Sequence, residues 1–151
     1  MMTVLERPKQ NIVTRFLKCA NGKIEFTDDK DTSVKCMGVY YANLPDMGNS
    51  TQKGIRPVLV VSNNKNNEFN SMVVVIPFTS KIDKRSLPVH VVFKEGLEEI
   101  GLKKESTLTC EQILTISKDN IRQNIGHLSR KIDALKVAAG ICTQIPILSI
   151  L

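Results

Sequence analysis

The sequence has no tryptophan, and aromatic residues fill only 5% of its 151 positions. That argues against a surface built mainly for stacking on sugars or bases, which needs several exposed rings. Its four cysteines, Cys19, Cys36, Cys110 and Cys142, are far apart and form no C-x-x-C pair. With only His90 and His127 to join them, no zinc site of the usual close spacing can be written. The expectation is small buried thiols in a reducing compartment, with no metal and no cofactor. No apolar run approaches the ~20 residues that a bilayer span needs. Met1 to Gln10 carries Glu6, Arg7 and Lys9 with no apolar stretch behind them, so the chain reads as cytoplasmic and free of membrane. Internal repeats and low-complexity tracts are absent, as are a Walker loop, G-x-G-x-x-G, H-E-x-x-H and any Ser-His-Asp order.

What remains is a globular composition, 42% hydrophobic and 24% charged. A chain of this length buries a core without staples and reads as one main domain. Lys and Arg number 21 against 15 Asp and Glu, a net charge of +6 that leans toward an anionic partner.

Three segments are expected. Residues 1–36 read as a helical arm and linker. Pro8 suits a first helical turn, Ile12, Val13, Phe16, Leu17 and Ala20 share a stripe, and Asn21-Gly22 stops it. Residues 37–141 carry the punctuation of a β domain. Val39–Leu44 is a strand candidate ended by Pro45, and Asp46–Gly54 is a polar, glycine-bounded loop. Pro57–Val61 and Met72–Ile76 are continuous β-branched runs, as expected of strands buried on both faces. Ser62–Asn67 between them is a polar connector. Val89–Phe93 and Thr107–Ile116 supply further strands, the latter with Leu108, Cys110, Gln112, Leu114 and Ile116 on one face. Ser117 can cap a short turn. Ser129 can cap a helix whose apolar stripe is Ile132, Leu135, Ala138 and Ala139. Residues 142–151 form an apolar tail. The fold class is mainly β (α+β), a small, curled, barrel-like sheet with a C-terminal helix and an N-terminal helical extension.

Four groupings could carry chemistry. Arg56, in Gly54-Ile55-Arg56-Pro57-Val58, stands at the mouth of a buried strand, and its planar fork suits a phosphate. On the residues alone, pairing with Asp46 or Glu111 to close the loop is the favoured alternative. Thr79, Ser80 and Lys81 emerge together from the most apolar strand, two hydroxyls and an ammonium fit for phosphate oxygens, or for an ordinary strand-end turn. Lys81, Lys84 and Arg85, with Lys53 and Lys65 nearby, can neutralise a nucleic-acid backbone or form a solvated face. Glu111-Gln112 places an amide among apolar neighbours, where it needs partners. His90 and His127 are the first suspects for proton transfer. His90 also suits a solvent-facing position on a sheet, and His127 a structural one.

Taken together these pieces resemble the MazF/PemK family of toxin endoribonucleases from toxin–antitoxin pairs. The resemblance runs from about Gly38 to Gly140. It rests on Gly38–Leu44, Gly54–Asn63, Val75–Ser80, Leu87–Val91, Leu108–Ile116 and Ile125–Ser129, six pieces in the family's order and spacing. It implies an SH3-like barrel, a homodimer, inhibition by a cognate antitoxin protein, and metal-independent, sequence-specific cleavage of single-stranded RNA. On this chain the family's functional arginine is Arg56 and its functional Thr is Thr79. Gln112 would help hold the RNA, and the loop before Arg56 would cover it. One departure is plain: where relatives often have Gly-Ser-Glu-Gln, this loop reads Gly48-Asn49-Ser50-Thr51-Gln52, so Thr51 replaces an acidic residue.

The chemistry implied is attack by the RNA's own 2′-OH to leave a 2′,3′-cyclic phosphate, with Arg56 and Thr79 stabilising the crowded phosphate. His90 and Glu111 are the candidate bases, since an arginine with a pKa above ~12 is a poor one. Gln52, Lys53, Asn63, Ser80, Lys81, Lys84 and Gln112 are the expected RNA contacts. The competing reading is a non-catalytic barrel that binds nucleic acid or a protein target such as gyrase, because fold does not fix function. Keeping Arg56 and Thr79 together separates the two, since a mere binder has no need of both.

Overall fold

A computed structural model describes residues 33–49, 51–81, 85 and 87–150. The expected N-terminal helix therefore lies outside the described residues. Seven strands follow one another: β1 (Gly38–Leu44), β2 (Gly54–Val60), β3 (Met72–Thr79), β4 (His90–Phe93), β5 (Ser106–Thr109), β6 (Leu114–Ser117) and β7 (Ile121–His127). Among the described residues two α-helices accompany them, a short α1 (Asn64–Phe69) and the C-terminal α2 (Lys131–Gln144). The sheet runs β4-β5-β3-β2-β1-β7 with β6 also on β3, and every pairing is antiparallel.

The β-branched runs are buried on both faces, as their lack of alternation requires. Leu59, Ile76 and Phe78 enter one core cluster with Val91, Phe93, Leu108, Leu128 and Val137. Val58, Val60, Val73 and Val75 turn the other way, onto Tyr40, Ala42, Leu44 and Ile116. The Phe78 ring meets Phe93 edge-on at 5.7 Å, which anchors the end of β3 from inside.

The stretch expected as one strand, Thr107–Ile116, is two. Leu108 faces Phe78 and Leu114 faces Val75, so six steps on this side answer three on β3. The surplus forms a corner at 110–113, where the Gln112 N–H donates to the Thr109 carbonyl at 2.9 Å. Such a surplus bends a strand and lets the sheet curl. Cys110 thus stays with the first core cluster, Ile116 joins the second, and Gln112 stands half-buried at the corner.

The curl is closed by backbone contact. The connector 99–101 lies directly on β7, with the His127 N–H on the Glu99 carbonyl at 2.9 Å. A Cβ on Gly101 would fall 1.9 Å from the Ile125 carbonyl oxygen, so only glycine permits this approach.

Three expectations about helices are corrected. The polar connector after β2 contains α1, which Asn63 caps by accepting the Asn66 N–H at 2.9 Å. The fully buried Asn67 ties that helix down, its Nδ2 donating to the Ser62 carbonyl at 2.8 Å. The C-terminal helix is preceded by Arg130 and has no side-chain cap, because the Ser129 hydroxyl donates to Glu99 instead. Its buried face is Asp133, Val137 and Gly140, while Ile132 and Leu135 are exposed. Gly140 lets the helix settle against Cys110 and Val91, where a Cβ would meet Sγ at 2.8 Å. That contact selects the face in preference to the more apolar stripe. Burial pushes the Cys110 thiol up to about 12, so it stays an inert core group. Beyond α2, Pro146–Ile150 winds into a 3-10 turn with Ile147 and Ile150 outward.

Candidate active site

β2 and β3 run antiparallel, so the start of one lies beside the end of the other. Val58 pairs with Pro77 and Leu59 with Ile76. Carried on two residues from Val58, that register sets Arg56 across from Thr79. Both line a cleft of about 450 Å3, together with Tyr41, Lys53, Ile55, Pro57, Phe78, Ser80, Gly101, Leu102, Lys103, Lys104 and Ser106. Four of these residues are cationic, Lys53, Arg56, Lys103 and Lys104, and none is a carboxylate.

Each polar group is held by its surroundings. The Arg56 Nε–H donates to the Lys53 carbonyl at 2.8 Å, which anchors the guanidinium at the edge of the cleft. Neither alternative partner takes Arg56: Asp46 pairs with Lys53 at 3.1 Å, and Glu111 with His90 at 2.7 Å. The Gly48 N–H, and then Lys53, hold the Asp46 carboxyl below its usual range. The Lys53–Asp46 pair is open to water and so exchanges cheaply for another anion. Thr79 is nearly buried, and its Oγ1 accepts the Lys81 N–H at 3.2 Å. The strand-end turn and the candidate site are therefore the same structure, and the hydroxyl proton is not needed for the turn.

Several expected residues converge here and others do not. Arg56, Thr79, Lys53 and Ser80 line the cleft. Gln52 and Gln112 meet just behind it, the Gln52 N–H donating to Gln112 Oε1 at 2.8 Å. Lys81 contributes its N–H to Thr79, while its side chain stands beyond the lining. Lys84 lies outside the described residues. Asn63 is at the opposite end of the β2–β3 pair, with its Oδ1 on α1. The two candidate bases face each other, His90 Nε2 on Glu111 Oε1 at 2.7 Å, and neither lines the cleft. His90 sits on the row that joins it to Thr109, two rows from the one that joins Thr79 to Thr107, and Glu111 reaches it from the corner just beyond β5.

Lys103 and Lys104 escaped the sequence reading. Their signal was present, since this is the chain's single Lys-Lys step. What could not be read is that the β4–β5 connector, pinned to β7 at Gly101, carries the pair to the mouth of β2 and β3. The neighbouring Glu105 points to Lys94, at 3.8 Å, and leaves the cleft positive. Among the described residues no three of His, Cys, Asp and Glu stand close enough to share a metal ion. None of the described helices is long and apolar enough to cross a membrane.

Known proteins share this chain's sequence and fold. Endoribonuclease EndoA of Bacillus subtilis (strain 168) is 38% identical over 95 residues, 63% of this chain and 80% of that protein. The solved MazF of Deinococcus radiodurans superposes with a TM-score of 0.63 at 16% identity, covering 77% of this chain and 99% of its own. A mycobacterial endoribonuclease in complex with its cognate antitoxin superposes at 0.60 with 22% identity, over 76% of this chain and 97% of that one. These likenesses at low identity show the fold, a mostly antiparallel seven-stranded sheet with a C-terminal helix. The model of the PemK-like, MazF-like toxins of type II toxin–antitoxin systems matches residues 35–145, and the chain belongs to that family.

Proposed function

We propose that the protein is a metal-independent endoribonuclease that cuts single-stranded RNA at a preferred sequence and so arrests translation and growth. The observation that carries the reading is the meeting of Arg56 and Thr79 at the adjoining ends of β2 and β3, in a cleft with four cations and no carboxylate. RNA brings its own nucleophile, the 2′-OH. Attack on the neighbouring phosphorus crowds negative charge onto the non-bridging oxygens, and the 5′-oxygen leaves with a proton, giving a 2′,3′-cyclic phosphate. The terminal nitrogens of Arg56 fork onto those oxygens and the Thr79 hydroxyl supplies another donor. Because both are fixed by the backbone before RNA arrives, little reorganisation is needed at the moment of reaction. A single such donor contributes roughly 3–4 kcal/mol in comparable sites.

Lys53, Lys103 and Lys104 hold flanking phosphates, which positions the strand without choosing its sequence. Single strands are preferred because their bases can be splayed from the backbone and read, whereas A-form duplex edges are hard to reach. The protein acts as a homodimer in the cytoplasm, where messages are accessible, and a cognate antitoxin restrains it by covering this positive cleft.

The test is digestion of a long single-stranded RNA in excess EDTA, with the ends mapped, beside Arg56→Ala and Thr79→Ala. Wild type is expected to give discrete cuts with cyclic-phosphate ends. Each variant is expected to lose activity by two to three orders of magnitude, with an unchanged far-ultraviolet spectrum. A folded wild type that leaves RNA intact would overturn the reading, as would variants that cut normally.

A further inference from the structure

We infer that Gln112 is a positioning residue for Arg56, acting as a latch that fastens the β1–β2 loop from the far side of the sheet. The inference rests on the ribonuclease reading for its functional meaning, though not for its geometry. Gln112 comes from the β5–β6 corner, 60 residues from its partner, and its Oε1 accepts the Gln52 N–H at 2.8 Å. A backbone N–H only donates, so the amide must present its oxygen to the loop. One residue further on, the Lys53 carbonyl accepts the Arg56 Nε–H at 2.8 Å. The two bonds form a continuous path: Gln112 holds Gln52, and the next residue's carbonyl holds the guanidinium.

The loop needs such a tie. Its residues between β1 and β2 are largely exposed, and Met47 is 61% accessible, so no core packing orders them. Apart from the Arg56 bond to Lys53, its other bonds among the described residues are internal, Gly48 N–H on Asp46 and Thr51 Oγ1 on the Gly48 carbonyl at 2.7 Å, together with the open Lys53–Asp46 pair. These shape the loop without fixing it to the barrel. Gln112 does fix it. The corner that presents Gln112 is itself held, by the Gln112 N–H on the Thr109 carbonyl and by Glu111 on His90. The surplus residues that break the strand between β5 and β6 thus have a use: they bring an acceptor out to the loop.

The resemblance gave Gln112 a direct hold on RNA. The latch assigns its oxygen to the protein, and the two roles separate experimentally because only one needs the amide NH2. Gln112→Glu keeps an acceptor for Gln52 and removes the NH2, whereas Gln112→Met keeps the length and removes both. Exchange of the Gln52 amide and the Arg56 Nε–H is read by NMR on 15N-labelled protein without RNA. Cleavage is then measured at about 0.3 M salt, where the added carboxylate charge is largely screened. Both protons are expected to exchange slowly in wild type and Gln112→Glu, and several-fold faster in Gln112→Met. In parallel, kcat/KM falls about three- to tenfold in Gln112→Met, the range of one neutral hydrogen bond. Gln112→Glu is expected to recover to within about threefold of wild type.

Equal exchange in wild type and Gln112→Met overturns the latch. So does a Gln112→Glu protein that regains slow exchange yet cuts as poorly as Gln112→Met, since the NH2 would then be the working group. If wild type does not cut RNA, the exchange arm still decides the latch, and that failure falls on the ribonuclease reading alone.

Discussion

Replacing Gly101 with alanine tests how the connector is held to the barrel. Two costs add. Gly101 has φ +70°, a conformation that costs an L-residue about 1–2 kcal/mol. Its new Cβ would also lie 1.9 Å from the Ile125 carbonyl oxygen and 2.5 Å from the carbonyl carbon. Both are backbone atoms of a paired strand, which no rotamer change can move. Forcing such a contact apart costs about 1–3 kcal/mol. The total is roughly 2–5 kcal/mol, which for a domain of this size lowers Tm by about 10 °C. Gly48→Ala is the internal control, because φ is +82° there and nothing lies within 4 Å of the added carbon. It carries only the conformational part. Urea melts of the three proteins give the differences directly. Equal losses in the two variants would refute the contact argument and leave only backbone conformation. Since Gly101 opens the segment bearing Lys103 and Lys104, Gly101→Ala should also weaken RNA binding under conditions where the fold persists.

Two further outcomes follow from the cleft and the core. Lys103→Gln with Lys104→Gln should raise KM for RNA, leave the cutting sequence unchanged and flatten the log–log salt dependence of binding by about 1.4, at roughly 0.7 per cation for a single strand; Lys65→Gln with Lys136→Gln, which do not line the cleft, should not. Burial holds the His127 pKa below 6.5. Below 6.5 the unfolded chain then takes a proton that the folded one refuses, so stability is full above that pH and falls as pH drops toward the folded value. His127→Gln should lose this part of the acid slope in urea melts at pH 7.5 and 5.5.

How much of this could be read in advance varies with the kind of signal. The runs around Val58–Val60 and Met72–Ile76 announce strands because burial on both faces leaves no polar alternation, and burial is what the fold then uses. The break at 110–113 leaves no such trace, since residues on either side stay apolar and only the register with β3 shows the surplus. α1 hides in an asparagine-rich stretch because its stability comes from side-chain bonds at Asn63 and Asn67, not from an apolar stripe. On α2 the stripe of Ile132 and Leu135 suggests the wrong inner face, because the small Gly140 and its close approach outweigh hydrophobicity. At the cleft, Arg56 and Thr79 were legible through the resemblance, while physical patterns left each with a plain alternative. That the two candidate bases would bond each other away from the cleft was invisible without the corner that turns Glu111 toward His90.

The closure of the sheet by β7 bears on when such a protein becomes dangerous to the cell that makes it. Arg56 is made early, but the Lys103–Lys104 segment is seated only once Ile125 and Gly126 lie against 99–101 and His127 bonds Glu99. Synthesis of the 71 residues from Arg56 to His127 takes roughly 4–14 s at usual elongation rates. Throughout that interval the nascent chain has its guanidinium without the opposite wall of its cleft. On the ribonuclease reading, chain order thus shields the message being translated from its own product.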